Sequence, residues 1–287
     1  MIKASTLQLL RFPFSLFLAP VFFFALSQIE HIHWLRCSMV FFILHLLVYP
    51  ASNGYNSFMD RDETAIGGVA VPLKPTLQLF YFTIGMDILA VVLGFLISPF
   101  FAIGIFLYIL ASRSYSYRGI RLKKYPVIAY LTVIIFQGAV TFALVYHGCS
   151  EPKLLDIPAL PMVAASLLIG GFYPMTQIYQ HEADRKAGVE SISARLGYRG
   201  TFIFCAGIYS LAMIFLGYWY FQLAEMPKFF LLATLLLPIL VYFFIWAMAV
   251  WKNTSAANFN NTMRMNVIAS VCTCIAFITL IIWKQFE

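Results

Sequence analysis

The chain has 287 residues, of which 62% are hydrophobic and only 11% charged, with a formal net charge of +7. Soluble domains carry roughly 25% charged residues, so a water-solvated globule is excluded and lipid is the expected solvent. The basic balance, which in a soluble chain would point to nucleic acid, here fits loops facing an anionic membrane leaflet, and no nucleic-acid partner is expected.

A membrane-crossing helix needs ~20 mostly apolar residues. Such runs occur in chain order at 7–27, 37–56, 77–97, 99–115, 126–147, 159–180, 200–222, 229–251 and 265–283. The expected fold is therefore all-α: a polytopic bundle of about nine transmembrane helices. No hydrophilic stretch is long enough for a separate soluble unit, so residues 1–287 are expected to form one domain. The first run contains Pro13 and Pro20 and lacks a small-residue cleavage site, which favours a retained span over a signal peptide. Only Ser98-Pro99 separates the third and fourth runs; proline cannot continue a helical ladder, so a tight turn is expected there.

Charge supports the count. With the N-terminus inside, Arg36, Lys153, Lys228 and Lys284 fall outside, and the remaining 15 of the 19 Lys and Arg fall on the cytoplasmic side. This bias predicts a cytoplasmic N-terminus and an external C-terminus. The five cysteines show no metal spacing and are expected to pack in apolar runs.

Half of the 12 acidic residues lie in two windows at the cytoplasmic ends of the second and sixth runs. The first holds Asp60, Asp62 and Glu63; the second holds Glu182, Asp184 and Glu190. If the second helix continues past the membrane, Asn56, Asp60 and Thr64 share one face, with Asn53 a turn earlier. Gln177, Gln180 and Asp184 likewise stack. These are oxygen ligands only, which suit a hard cation such as Mg²⁺ and not zinc. His181 has no partner at ligand spacing and reads as a loop histidine. A third segment carries Arg113, Arg118, Arg121, Lys123 and Lys124 within twelve residues, enough for an anion-binding collar. Magnesium, carboxylates and a basic loop at a membrane surface together point to a lipid diphosphate.

The pattern of these residues resembles the UbiA superfamily of intramembrane prenyltransferases. That family has nine helices, an Asn-Asp-x-x-Asp-x-x-x-Asp motif after the second and an Asp-x-x-x-Asp-x-x-x-Gly type motif after the sixth. Asn56-Ser57-x-x-Asp60-Arg61-x-x-Thr64 occupies the first place, followed by Gly67-Gly68 and Pro72-Leu73-Lys74-Pro75. Gln180-x-x-x-Asp184-x-x-x-Gly188, with Ser191 and Gly197 beyond it, occupies the second. Three carboxylates of the family pattern are replaced, by Ser57, Thr64 and Gln180. Asp62, Glu63 and Glu182 stand nearby as candidate substitutes, although on other helical faces.

The resemblance implies transfer of a polyprenyl group from an allylic diphosphate to a membrane-soluble, often aromatic, acceptor. It implies catalytic roles for Asp60 and Asp184 and metal ligation by Asn56, Asp60, Thr64, Gln180 and Asp184. Asn53, Arg61, Lys74, Arg118, Lys123 and Lys124 are the expected diphosphate ligands. Tyr55, Tyr115, Tyr117, Tyr173 and Tyr179 lie nearest the motifs and are candidates to face an allylic cation. Inside the spans, Asp87 reads equally as a functional carboxylate or a paired packing residue. Arg11 is expected to snorkel to the interface, with diphosphate binding as the alternative; Gln137 and His45 are similarly open. A UbiA-like terpene cyclase, a non-catalytic polyprenyl-lipid binder and a transporter are the competing readings. The acceptor, the tail length and the oligomeric state have no recognisable signature.

Overall fold

A computed structural model describes residues 1–286. Among the described residues, nine helices are long and apolar enough to cross a membrane. In chain order they are α1 (Ala4–Ser27), α2 (Trp34–Asp60), α3 (Leu77–Ile97), α4 (Pro99–Ser116), α5 (Pro126–Cys149), α6 (Ala159–Lys186), α7 (Ile192–Gln222), α8 (Met226–Lys252) and α9 (Phe259–Lys284). The expected number and order of spans hold. Helices adjacent in sequence pack side by side, and α9 packs back on α1, so the bundle closes into a ring.

The Ser98-Pro99 junction is a true turn. Ser98 is extended (φ −171°, ψ 161°), and its hydroxyl accepts the Phe101 amide at 3.0 Å as the N-cap of α4. Pro99 then takes the first helical position, where a missing N–H costs nothing.

Proline also explains where helices deviate. Pro13 cannot donate to Leu9, and α1 breaks just before it, with Arg11 left-handed at φ 52°. A π-helical segment, Phe42–Val48, precedes Pro50 in α2. In α6 the segment Tyr173–Gln180 tightens to a 3₁₀-helix, with Pro174 near its start. Three residues per turn bring positions three apart onto one line, which stacks Gln177 and Gln180. Gly197 kinks α7 at φ 71°, a backbone conformation that favours glycine; the Thr201 hydroxyl donates to its freed carbonyl at 2.7 Å.

At the end of the bundle away from the acidic windows, Arg36 donates to the carbonyls of Gly148, Ser150 and Glu151 at 3.3, 2.6 and 2.7 Å. A cation there satisfies the Gly148 carbonyl in the last turn of α5 and two carbonyls just beyond it, and opposes the negative pole of the helix dipole. Asp87, in α3, pairs with Arg113 of α4 through the guanidinium Nε at 2.8 Å. Arg113 in turn lies over the Tyr55 ring at 3.9 Å and donates to Thr83 at 3.3 Å. Asp87 is thus a paired packing residue. His45 is buried, stacked on Phe41 at 4.2 Å, and also belongs to the packing.

Candidate functional site

The two acidic windows converge on one cavity of about 270 Å³ at one end of the bundle. Helix α2 contributes Asn53, Asn56 and Asp60, spaced three and four residues apart and so on one face. Helix α6 contributes Gln177, Gln180 and Asp184, and the loop after α2 adds Asp62. Arg11, Arg121 and Lys123 line the same space. Three carboxylates and three cations therefore share one chamber.

Position along the helices gives this chamber its electrostatic character. Asp60 is the last residue of α2, and Asp184 lies two residues before the end of α6. Both carboxylates sit at the negative pole of a helix dipole, where anions are disfavoured and cations favoured. Lys123 answers this at Asp60 through a direct ion pair to Oδ2. Burial, and then the nearby Asp60 carboxylate, push the Asp62 carboxyl above the usual carboxylate range.

The four amides share a further property. Asn56 donates its NH₂ to Ser116 at 2.9 Å and Asn53 to Ser15 at 3.4 Å. Gln177 donates to Tyr173 at 2.9 Å and Gln180 to the Ala65 carbonyl at 3.4 Å. Each amide nitrogen is engaged by protein, which leaves the oxygens for a ligand; the buried Gln177 Oε1 has no partner. Carboxylate and amide oxygens at the negative ends of two helices fit a hard divalent cation such as Mg²⁺.

The cationic side is equally specific. Arg11 donates from Nη1 to the Gly67 carbonyl at 3.4 Å and from Nη2 to the Asn53 carbonyl at 3.2 Å, while its buried Nε has no partner. This holds the loop after α2 over the cavity. The buried Nε of Arg121 is likewise unpartnered. Arg11 points into the chamber instead of snorkelling, and Arg121 is a lining residue that the sequence reading did not separate from its basic neighbours. The backbone is left-handed at both Arg11 (φ 52°) and Arg121 (φ 49°), a feature that helical periodicity does not encode.

Other expected residues stand outside. Helix α2 stops at Asp60, because Arg61 turns left-handed at φ 56° and its N–H bonds to the Ser57 carbonyl at 3.0 Å. The assumed continuation of the helix does not exist, so Thr64 leaves the Asn56–Asp60 face and is exposed outside the cavity. Arg61, Glu63, Lys74, Lys124 and Glu182 are also exposed and do not line it. Arg118 instead donates from Nε and Nη2 to the Met59 carbonyl at 3.0 and 2.9 Å, clamping the end of α2. Of the three candidate substitutes, only Asp62 enters the chamber. His181 is a buried packing residue: Nε2 lies 2.8 Å from the Ser193 hydroxyl and the ring stacks on Tyr198. It is not the loop histidine the sequence suggested.

The aromatic candidates also divide. Tyr115, Tyr173 and Tyr179 line the cavity, together with Tyr108, Phe14, Phe136 and Gln137. The Tyr115 and Tyr173 hydroxyls lie 2.6 Å apart. Tyr55 and Tyr117 do not line it.

Residues 15–268 match the family model described as the UbiA prenyltransferase family. No curated protein is significantly similar to the chain in sequence. Among solved structures, a UbiA homologue from Archaeoglobus fulgidus bound to GPP and Mg²⁺ aligns at TM-score 0.69 and 17% identity, covering 97% of this chain and 99% of that one. The apo UbiA homologue from Aeropyrum pernix K1 aligns at 0.67 and 17%, covering 94% and 98%. A digeranylgeranylglyceryl phosphate synthase aligns at 0.62 and 18%, covering 99% and 98%. At these identities the structures establish the common fold.

Proposed function

We infer the activity from one premise: this chain belongs to the UbiA prenyltransferase family. Its proposed reaction is transfer of a polyprenyl group from an allylic diphosphate to a membrane-soluble acceptor, within the bilayer and with Mg²⁺. The observation that carries this is the convergence of Asp60 and Asp184, at two helix ends, on a cavity that also holds Arg11, Arg121 and Lys123. An A. fulgidus homologue of the same fold binds GPP and Mg²⁺, and the present donor set is of matching chemistry.

Asp60, Asp62 and Asp184, with the side-chain oxygens of Asn56, Gln177 and Gln180, would hold the metal. Mg²⁺ bound there neutralises charge that builds on a diphosphate leaving group. The guanidinium groups of Arg11 and Arg121, both lining the cavity, would donate to phosphate oxygens, and Lys123 adds a third cation. Asn53 fixes Arg11 through its backbone carbonyl. The rings of Tyr115, Tyr173, Tyr179 and Phe14 offer faces to an allylic cation. The charge asymmetry of the loops supports a site that opens on the cytoplasmic side, with the N-terminus inside.

The test is diphosphate release from geranyl diphosphate by the detergent-purified chain. Release should require Mg²⁺ and fall at least a hundredfold in both Asp60→Ala and Asp184→Ala. Release that persists in chelator, or in both variants, would sink the proposal. Product analysis then separates transfer, which needs the acceptor, from cyclisation, which does not.

A further inference from the structure

At the end of the bundle opposite the acidic chamber, the start of α2 and the end of α5 are stitched together. The Glu151 N–H donates to the His31 carbonyl at 2.9 Å and the His33 N–H to the Cys149 carbonyl at 2.8 Å. Ile32 and Ser150 form an antiparallel bridge between these two bonds. Arg36 adds its bonds to the carbonyls of Gly148, Ser150 and Glu151. Gly148 allows the close approach: a Cβ there would lie 2.9 Å from Val40 Cγ2. The backbone is therefore fixed on both sides of the contact.

This contact carries a pair of cysteines. Cys37 stands in the first turn of α2, its N–H bonded to the His33 carbonyl at 2.9 Å, and Cys149 is the last residue of α5. The Cys149 thiol donates to the Cys37 sulfur. Cys205 and Cys274 are engaged elsewhere, with the Met175 backbone and the Ser270 side chain. Cys37 is 6% exposed and Cys149 is fully buried. One sulfur can thus be reached from outside, and the other lies behind it, which suits a dithiol that closes by exchange.

We propose that Cys37 and Cys149 are a disulfide-forming site, closed by exchange with a small disulfide, that fastens α2 to α5 at the membrane face opposite the acidic chamber. The charge bias of the loops puts this face outside the cytoplasm, where disulfides form and persist. The Cys37 thiolate attacks one sulfur of the incoming disulfide; a mixed disulfide forms, the incoming S–S bond breaks and one thiolate leaves. The Cys149 thiolate then attacks the Cys37 sulfur and displaces the second thiolate. The two protons lost by the cysteines pass to the two released thiols, and the two electrons lost by the pair reduce the small disulfide. The link closes a loop of about 110 residues, which contains Asp60, Arg121 and Lys123 of the chamber. Closing a long loop removes much of the freedom of the unfolded chain, so the linked protein is the more stable form. The link needs neither metal nor diphosphate and stands apart from the prenyl-transfer reading.

The test uses the full chain in detergent, treated while folded with oxidised glutathione or with reductant, then quenched with acid, denatured and alkylated with a maleimide. The reduced protein should take five maleimides, one per cysteine, and the oxidised protein three. A non-reducing digest should yield one peptide pair joined through Cys37 and Cys149. The oxidised protein should melt several degrees above the reduced one, and reductant should reverse the shift. Cys149→Ala should stop at a glutathione adduct on Cys37, and Cys37→Ala should take up no glutathione at Cys149. If either variant fails to fold, the joined peptide from the unaltered chain still decides. Five maleimides on the oxidised protein, a glutathione adduct that persists on Cys37 with Cys149 present, a link through any other cysteine, or equal melting of the two forms would overturn the proposal.

Discussion

Lys123 of the loop between α4 and α5 is ion-paired with Asp60 at the end of α2, and the two side chains are 11% and 10% exposed. The pair holds the basic loop onto a carboxylate at the negative pole of the α2 dipole. Breaking one side of a buried pair typically costs about 3–5 kcal/mol, because the other charge is left uncompensated. Lys123→Met should therefore lower thermal stability by several degrees in chelator. Added Mg²⁺ should restore much of the loss by supplying a new partner to Asp60. A loss of the same size with and without Mg²⁺ would separate Lys123 from the metal site.

The replaced family carboxylates give opposite expectations at two positions. Gln180 lines the cavity and Thr64 is exposed outside it. Ligand charge helps set the affinity of a hard-cation site. Gln180→Glu should lower the half-saturating Mg²⁺ concentration several-fold, measured by diphosphate release, whereas Thr64→Asp should leave it unchanged. A strong effect of Thr64→Asp would mean that the loop after α2 reorganises when substrate binds.

Asp87 and Arg113 make a second pair, with the guanidinium sandwiched against Tyr55. Their side chains are 14% and 18% exposed, inside two membrane-spanning helices. Asp87→Asn or Arg113→Met alone should destabilise the protein by about 3 kcal/mol or more, and the double change Asp87→Leu/Arg113→Leu should recover most of that. Thermal unfolding in detergent reads the cycle. Additive losses would show that the two residues act independently.

Two glycines test the packing of the bundle. A Cβ at Gly138 of α5 would lie 2.7 Å from the Ser166 backbone nitrogen of α6, where nothing flexible can yield. Gly138→Ala should cost about 1–3 kcal/mol by overpacking. Gly85 of α3 has nothing within 4 Å, and Gly85→Ala should be neutral or stabilise by up to about 1 kcal/mol through better helix propensity. Thermal melts of the two single variants make the comparison.

Hydropathy alone determined the number, order and approximate limits of the spans, because lipid leaves the backbone no option but apolar helices of fixed length. The junction at Ser98-Pro99 was equally legible, since a cap and a proline act locally. Sequence spacing also grouped Asn53, Asn56 and Asp60, and Gln177, Gln180 and Asp184, because neighbours on one turn share a face whatever the rest of the chain does. Thr64 failed that test, since the stop at Arg61 is a left-handed turn that a hydrophobic pattern does not encode. Which cations point inward was a tertiary matter. Arg11, in an apolar run, and Arg121 enter the chamber, while Lys74 and Lys124, the latter three residues from Arg121 in the same basic segment, stay outside. Local rules fix what each helix is; the closure of the ring decides which of its polar atoms keep a vacant hydrogen bond, and those atoms define the site.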